Sequence, residues 1–347
     1  MRKILVIRLS AMGDAAMTSP VVDSVCRSHA DVYVTMLSDP MFEPFFARHP
    51  NFRFVGTDIR RQRSGLVGLW RLFRTLSKTD DFDTVIDLHD VLRTKVLRAF
   101  FRLSGRKVYV INKGRSEKKA LTRLENKVKV QLKPTIERYA DVFAAAGLPT
   151  VVDTYPLKRA GLPDSLLALT GPHDGVRWVG ISPFAQHMGK VYPLDKMERL
   201  IEMLCSDRRL KVFVFGGGKH EKAIAQTFEK LSDNCVSMVG KVSFAEEMQL
   251  MSHLDCMVSM DSSAMHICSL FGTRVISVWG ATHPYAGFLG YRQSPADAMQ
   301  LDLPCRPCSI YGNKPCASGT KYDCLQYPPE GIAAHVHEAV FGQRPKQ

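Results

Sequence analysis

Apolar and polar positions follow two periods along this chain, and the periods take turns. Short runs rich in Val, Ile, Leu and Phe at 4–9, 32–37, 52–55, 84–88 and 108–111 predict buried strands. Between them the spacing changes to that of amphipathic helices. One opens at or just after Asp14 and runs through Val21 to His29; others are predicted over 64–77, 91–101 and 135–146. From Pro149 to Val176 the pattern weakens, with Pro156, Gly161, Pro163, Gly171 and Pro172 punctuating it, which suggests a linker or a strapped-down connection. The alternation then resumes, with strands at 178–182, 212–215, 256–260 and 275–279 and helices at 194–205, 221–231 and 264–271. Strands alternating with helices imply parallel sheets with right-handed crossovers. The expected fold class is therefore α/β, with two doubly wound domains, 1–165 and 166–347, facing each other across a cleft.

A chain of 347 residues with 45% hydrophobic content can build two such cores. No apolar run approaches the roughly 20 residues a membrane span needs. The opening residues lack the pattern of an export signal, and a cytoplasmic location is expected.

The charge changes the picture more. The net charge of +13 is concentrated between Val91 and Lys133, where fourteen Lys and Arg face only Glu117 and Glu125. A field of that kind favours a polyanionic partner such as nucleic acid, acidic lipid or a phosphorylated glycan, unless the segment is simply a solvated loop. Of nine Cys, five are scattered singly and read as small buried hydrophobes. The other four form Cys305-x2-Cys308-x7-Cys316-x7-Cys324, either a thiolate zinc site or reduced thiols in a packed loop. The reading adopted here is free thiols and no metal.

Candidate chemistry gathers where strands end. The first strand runs into Ser10-Ala-Met-Gly-Asp14, a turn with one glycine and hence no dinucleotide fingerprint. Its Asp14 is a general base at the carboxyl edge of the sheet or merely the cap of the next helix. In the second half, Ser182 to Lys190, Gly216-Gly-Gly-Lys-His-Glu221, Asp261-Ser-Ser-Ala-Met-His266 and Gly280-Ala-Thr-His-Pro284 each follow a strand. They offer hydroxyls, helix N-termini and the Lys190 charge to a diphosphate, and Glu221 to a ribose diol. Together they describe a nucleotide-diphosphate site.

Taken in order, Ser10-Ala-Met-Gly-Asp14, Val85-Ile-Asp-Leu-His89 with Arg93-Thr94, Lys190-Val-Tyr-Pro193, Asp261-Ser-Ser-Ala-Met-His266 and Gly280-Ala-Thr-His-Pro284 resemble glycosyltransferase family 9, the ADP-heptose:lipopolysaccharide heptosyltransferases. The resemblance implies a GT-B fold of two Rossmann-like domains and an inverting, metal-independent transfer with no cofactor beyond the nucleotide-sugar donor. It implies Asp14 as the base and Ser182, Lys190, Glu221, Asp261, Ser262, Ser263 and His266 as the donor site. An ADP-sugar, heptose by family default, would pass to a phosphorylated lipid-linked saccharide. Arg60, Arg61, Arg63, Arg93, Lys113 and Arg115 would meet acceptor phosphates, with peripheral contact at the inner face of the cytoplasmic membrane. Three positions depart from the family pattern: Ser263 replaces a glycine, Tyr192 a tryptophan and His89 a glutamine. Ser263 would be strained if its backbone were left-handed. Two other readings remain: a nucleic-acid-binding protein using the basic segment and a zinc knuckle, and a nucleotide-dependent oxidoreductase, which the missing Gly-x-Gly-x-x-Gly weakens.

Overall fold

The computed structural model describes residues 1–58, 65–317, 319 and 321–342. In chain order the strands and helices are β1 (Arg2–Ile7), α1 (Met12–Ser28), β2 (Val32–Ser38), β3 (Phe52–Gly56), α2 (Gly65–Thr79), β4 (Thr84–Asp87), α3 (Leu92–Leu103), β5 (Lys107–Val110), α4 (Arg115–Leu121) and α5 (Thr135–Ala145). There follow α6 (Asp164–Thr170), β6 (Arg177–Ser182), α7 (Leu194–Ser206), β7 (Leu210–Val214), α8 (Gly218–Glu229), β8 (Cys235–Ser237), α9 (Phe244–Met251), β9 (Cys256–Met260), α10 (Ser263–Phe271), β10 (Arg274–Val278), β11 (Ala298–Met299) and α11 (Pro329–Phe341). No helix among the described residues is long and apolar enough to cross a membrane.

Two compact units result, one of Met1–Gly114 with Lys133–Leu157, the other of Arg115–Leu132 with Lys158–Gln347. The sequence placed the change of unit at 165/166. The chain instead changes unit at Leu157/Lys158, and Arg115–Leu132 makes an earlier excursion into the second unit. The basic stretch is thus divided between them.

The first unit holds a five-stranded parallel sheet in the order β3-β2-β1-β4-β5. The chain winds outward from β1 through β2 and β3, then returns to place β4 on the other side, so the winding reverses between β1 and β4. Ligands of open α/β sheets bind outside the carboxyl ends of strands at such a reversal. Leu5, Ile7 and Val85 pack on Leu69, Leu72 and Leu76 of α2 and Leu97 and Phe101 of α3. Helix α1 is buried over nearly its whole length and lies beside α5. It begins at Met12, before Asp14, and continues through Pro20, where Ser24 Oγ donates to the Pro20 carbonyl at 2.8 Å.

The second unit holds a six-stranded parallel sheet in the order β11-β10-β9-β6-β7-β8, reversing between β6 and β9. Its core joins Val179, Ile181, Val212 and Val214 to Leu200, Ile201 and Leu204 of α7 and Ile332 and Val336 of α11. Segment Arg115–Leu132 is fastened here. Leu121 and Leu132 cluster with Ala286, Lys118 Nζ lies 4.4 Å from the Phe288 ring centroid, and Lys127 Nζ donates to the carbonyls of Cys305 and Pro307 at 2.6 and 3.0 Å. Lys129 pairs with Asp302. The segment is therefore not a solvated loop.

Candidate active site

At the reversal in the first unit, Asp14 is the third residue of α1 and Ala11 is the N-cap, which removes the reading of Asp14 as the cap residue. Its carboxylate forms an ion pair with Arg8, the residue after β1. Arg8 is buried, donates to the Leu88 carbonyl at 2.7 Å and lies 5.9 Å from the Tyr139 ring centroid. Burial opposes its charge while Asp14, Tyr139 and Asp87 favour it, and the balance raises its pKa. The end of β4 is fixed by Asp87, wholly buried, which accepts from the His89 and Asp90 N–H groups at 2.9 Å and from Arg98 at 2.8 Å. His89 follows, with Nε2 3.4 Å from Ser10 Oγ and Nδ1 without a hydrogen-bond partner among the described residues. Burial first, then the Arg8 and Lys113 cations, push its pKa down to about 3, so the ring is neutral.

At the reversal in the second unit, Lys190 Nζ lies 2.9 Å from a carboxylate oxygen of Asp261 and 3.1 Å from its carbonyl. Both side chains are largely buried; Asp261 precedes Ser262, the N-cap of α10. Glycines make room for the lysine. A Cβ on Gly312 would stand 2.7 Å from Lys190 Cγ, one on Gly189 2.7 Å from the Gly312 carbonyl, and one on Gly280 2.5 Å from the Gly189 carbonyl. Gly312 has a φ of +73°, which adds a conformational requirement to the steric one. Ser182 ends β6, in register with Ser259 of β9. Ser259 Oγ in turn lies 3.2 Å from Ser262 Oγ.

Ser262 and Ser263 stand where the free N–H groups of α10 begin, while His266 is the fourth helical residue, whose N–H enters the helical ladder. Ser263 lies in the helix and is not among the residues with positive φ, so the serine carries no strain. Glu221 Oε2 accepts from the Gly217 N–H at 2.7 Å, which ties it to the turn that opens α8. Tyr192 is buried in the core, its hydroxyl donating to the Tyr327 carbonyl at 2.6 Å.

The candidate acceptor residues divide. Arg60, Arg61 and Arg63 lie outside the described residues. Arg93 is exposed on α3, and Lys113 Nζ is 3.5 Å from the Asp90 carbonyl. Arg115 opens α4 and belongs to the second unit, so these cations do not form one surface of one unit.

Arg306 was hidden in the sequence by the cysteines around it. It is 1% exposed, and its guanidinium donates to the carbonyls of Gly280, Leu301 and Thr282 and to Gln300 Oε1. It fixes the Gly280–Thr282 turn, to which Cys308 N–H also donates through Ala281 O at 3.1 Å. Cys305 is exposed, Cys308 and Cys316 are half-buried and Cys324 is buried. Among the described residues, no three His, Cys, Asp or Glu are arranged to hold a metal ion.

A sequence model described as glycosyltransferase family 9 (heptosyltransferase) matches residues 69–314. Lipopolysaccharide heptosyltransferase 1 of Pseudomonas aeruginosa is 24% identical over 323 residues, spanning 88% of this chain and 86% of that protein. Lipopolysaccharide heptosyltransferase 3 of Escherichia coli is 22% identical, spanning 78% of this chain and 81% of its own. Among solved structures, a family 9 glycosyltransferase of Veillonella parvula superposes with a TM-score of 0.74 at 16% identity, covering 99% of this chain and 98% of that one. The E. coli heptosyltransferase WaaC with ADP gives 0.64 at 16% identity, covering 97% and 99%. These likenesses show the fold, which is GT-B. With the family model matched over well more than half of its length, the chain belongs to glycosyltransferase family 9, the heptosyltransferase family.

Proposed function

We propose that this glycosyltransferase moves heptose from ADP-heptose to a phosphorylated, lipid-linked saccharide of the lipopolysaccharide core, with inversion at the anomeric carbon. The names of the curated relatives support the sugar and the acceptor class, and the ADP and ADP-2-deoxy-2-fluoro heptose complexes of WaaC support the nucleotide. The family assignment leaves the nucleic-acid-binding and oxidoreductase readings without support.

In this reading Asp14 takes the proton from the acceptor hydroxyl as that oxygen attacks the anomeric carbon and ADP departs with the bond's electron pair. Arg8 orients the Asp14 carboxylate. The charge developing on the leaving diphosphate falls to Lys190 and to the N-terminal N–H groups of α10, fixed dipoles that need no reorganisation during the step. Asp261 holds Lys190 in place and binds hydroxyls of the donor sugar. Glu221, steadied by Gly217, takes the ribose diol. No divalent ion or further cofactor is assigned a role. A lipid-linked acceptor of this kind would put the work in the cytoplasm at the inner face of the membrane.

The observation that carries this reading is the Lys190–Asp261 pair at the strand-end reversal of the second sheet, walled by Gly189, Gly280 and Gly312. A thermal-unfolding screen of ADP-, GDP- and UDP-sugars tests it. The cognate nucleotide at about 100 times its Kd adds roughly 2.7 kcal/mol of stability. Stabilisation by a UDP- or GDP-sugar, with none by ADP-heptose, would overturn the donor assignment.

A further inference from the structure

We propose that the outer face of α2, with the neighbouring α3, docks the first unit onto an anionic lipid surface. Helix α2 packs on the sheet through Leu69, Leu72 and Leu76, and its Phe73 meets Phe101 of α3 edge-on with centroids 5.0 Å apart. Its opposite face is unusual in two respects. Leu66, Val67 and Trp70 are 67, 63 and 47% exposed, three large apolar side chains within the first two turns. Arg71, Arg74 and Lys78 follow on the same side, the Arg74 guanidinium 5.4 Å from the Trp70 ring centroid.

Neither α2 nor α3 contains an Asp or Glu, whereas α3 adds exposed Arg93, Lys95 and Arg102. Scattered surface apolar residues are ordinary. An aromatic and two aliphatics at one end of a face otherwise occupied by cations are the arrangement of a helix lying in a bilayer interface. The missing carboxylates select the occupant. A second copy of this face would bring cations against cations, while a phosphatidylglycerol headgroup layer complements them, each Lys or Arg near such a surface adding about fivefold to binding.

The inference deepens the proposed function by naming how the enzyme would meet a lipid-borne acceptor. Its test uses neither donor nor acceptor, so the two fail separately. The protein has three Trp, and Trp178 and Trp279 are 0% exposed, so Trp70 reports on this face. The full chain is mixed with phosphatidylglycerol–phosphatidylcholine vesicles carrying brominated acyl chains, or with brominated phosphatidylcholine alone. The expected result is sedimentation with the anionic vesicles and quenching of tryptophan emission. The quenching disappears in Trp70→Phe while sedimentation persists. Arg71→Gln/Arg74→Gln/Lys78→Gln, with an unchanged circular dichroism spectrum, loses about 100-fold in partitioning at low salt, and Leu66→Ser/Val67→Ser loses both sedimentation and quenching. Sedimentation that survives both multiple variants, emission blind to bromine, or a dimer broken by Leu66→Ser/Val67→Ser without any vesicle binding would each overturn the proposal.

Discussion

The ammonium of Lys190 sits between the carboxylate and the carbonyl of one residue, Asp261, at 2.9 and 3.1 Å. Asp261 is 4% exposed, so the lysine answers a buried charge as well as any ligand. Lys190→Ala therefore costs both stability and nucleotide affinity. Breaking a buried pair by removing one partner typically costs about 3–5 kcal/mol. Chemical denaturation and calorimetry with ADP give the two numbers. Lys190→Ala/Asp261→Asn regains stability but not ADP affinity. An alanine variant as stable as the parent and equal in ADP affinity removes Lys190 from the site.

Asp14→Asn lowers turnover by about 10²–10⁴-fold, the usual worth of a general base. ADP affinity stays unchanged, because the residues assigned to the nucleotide belong to the other unit. The same substitution leaves the buried Arg8 without its carboxylate, so a fall in thermal stability accompanies the loss. Single-turnover kinetics with saturating donor separates chemistry from binding. Turnover within a few-fold of the parent would mean that another group accepts the proton.

His89 makes the protein acid-sensitive. The native ring keeps a pKa of about 3, while an unfolded histidine titrates near 6.5. Between these values the unfolded chain binds more protons, so this contribution is fully present above pH 6.5 and is lost as pH falls toward 3. The loss is on the order of 5 kcal/mol. His89→Gln, which cannot be protonated, flattens the pH dependence of unfolding by that order over this window. Parallel profiles for parent and variant would show that the ring is not held neutral.

Arg306→Met leaves the carbonyls of Gly280, Thr282 and Leu301 without their donor. Each unsatisfied buried acceptor costs about 1–3 kcal/mol. Equilibrium unfolding registers this loss, and a raised donor KM with little change in kcat registers displacement of the Gly280–Thr282 turn. A variant with parental stability would contradict the role given to Arg306.

Much of this was legible in the sequence, because buried parallel strands are dense in Val, Ile and Leu and end at turns. The predicted strands at 178–182 and 256–260 match β6 and β9 closely, and the residues after them hold the Lys190–Asp261 pair. What escaped notice had physical reasons. The pattern puts the start of α1 at or just after Asp14, yet the helix begins at Met12 and carries Pro20 in its interior. Pro163 and Gly171 made 149–176 look like linker, though they bracket α6. Strand β8 has three residues and β11 two, too short for any period to register.

The division of the basic stretch was invisible because charge says nothing of what a segment packs against. Leu121 and Leu132 place Arg115–Leu132 in the second unit, and Lys118 is buried. Nothing in the sequence around Arg8 or Arg306 marks what either side chain meets. Only the fold shows that one meets Asp14 and the other a ring of carbonyls.

The most direct test of the proposed transfer is incubation of the purified enzyme with ADP-heptose and a lipopolysaccharide acceptor lacking core heptose, with ADP release and the anomeric configuration of the product followed together by NMR. The account predicts one ADP per heptose transferred, a product inverted relative to the donor, and loss of both signals in Asp14→Asn. Retention of configuration, or transfer from a UDP-sugar with ADP-heptose untouched, would contradict it.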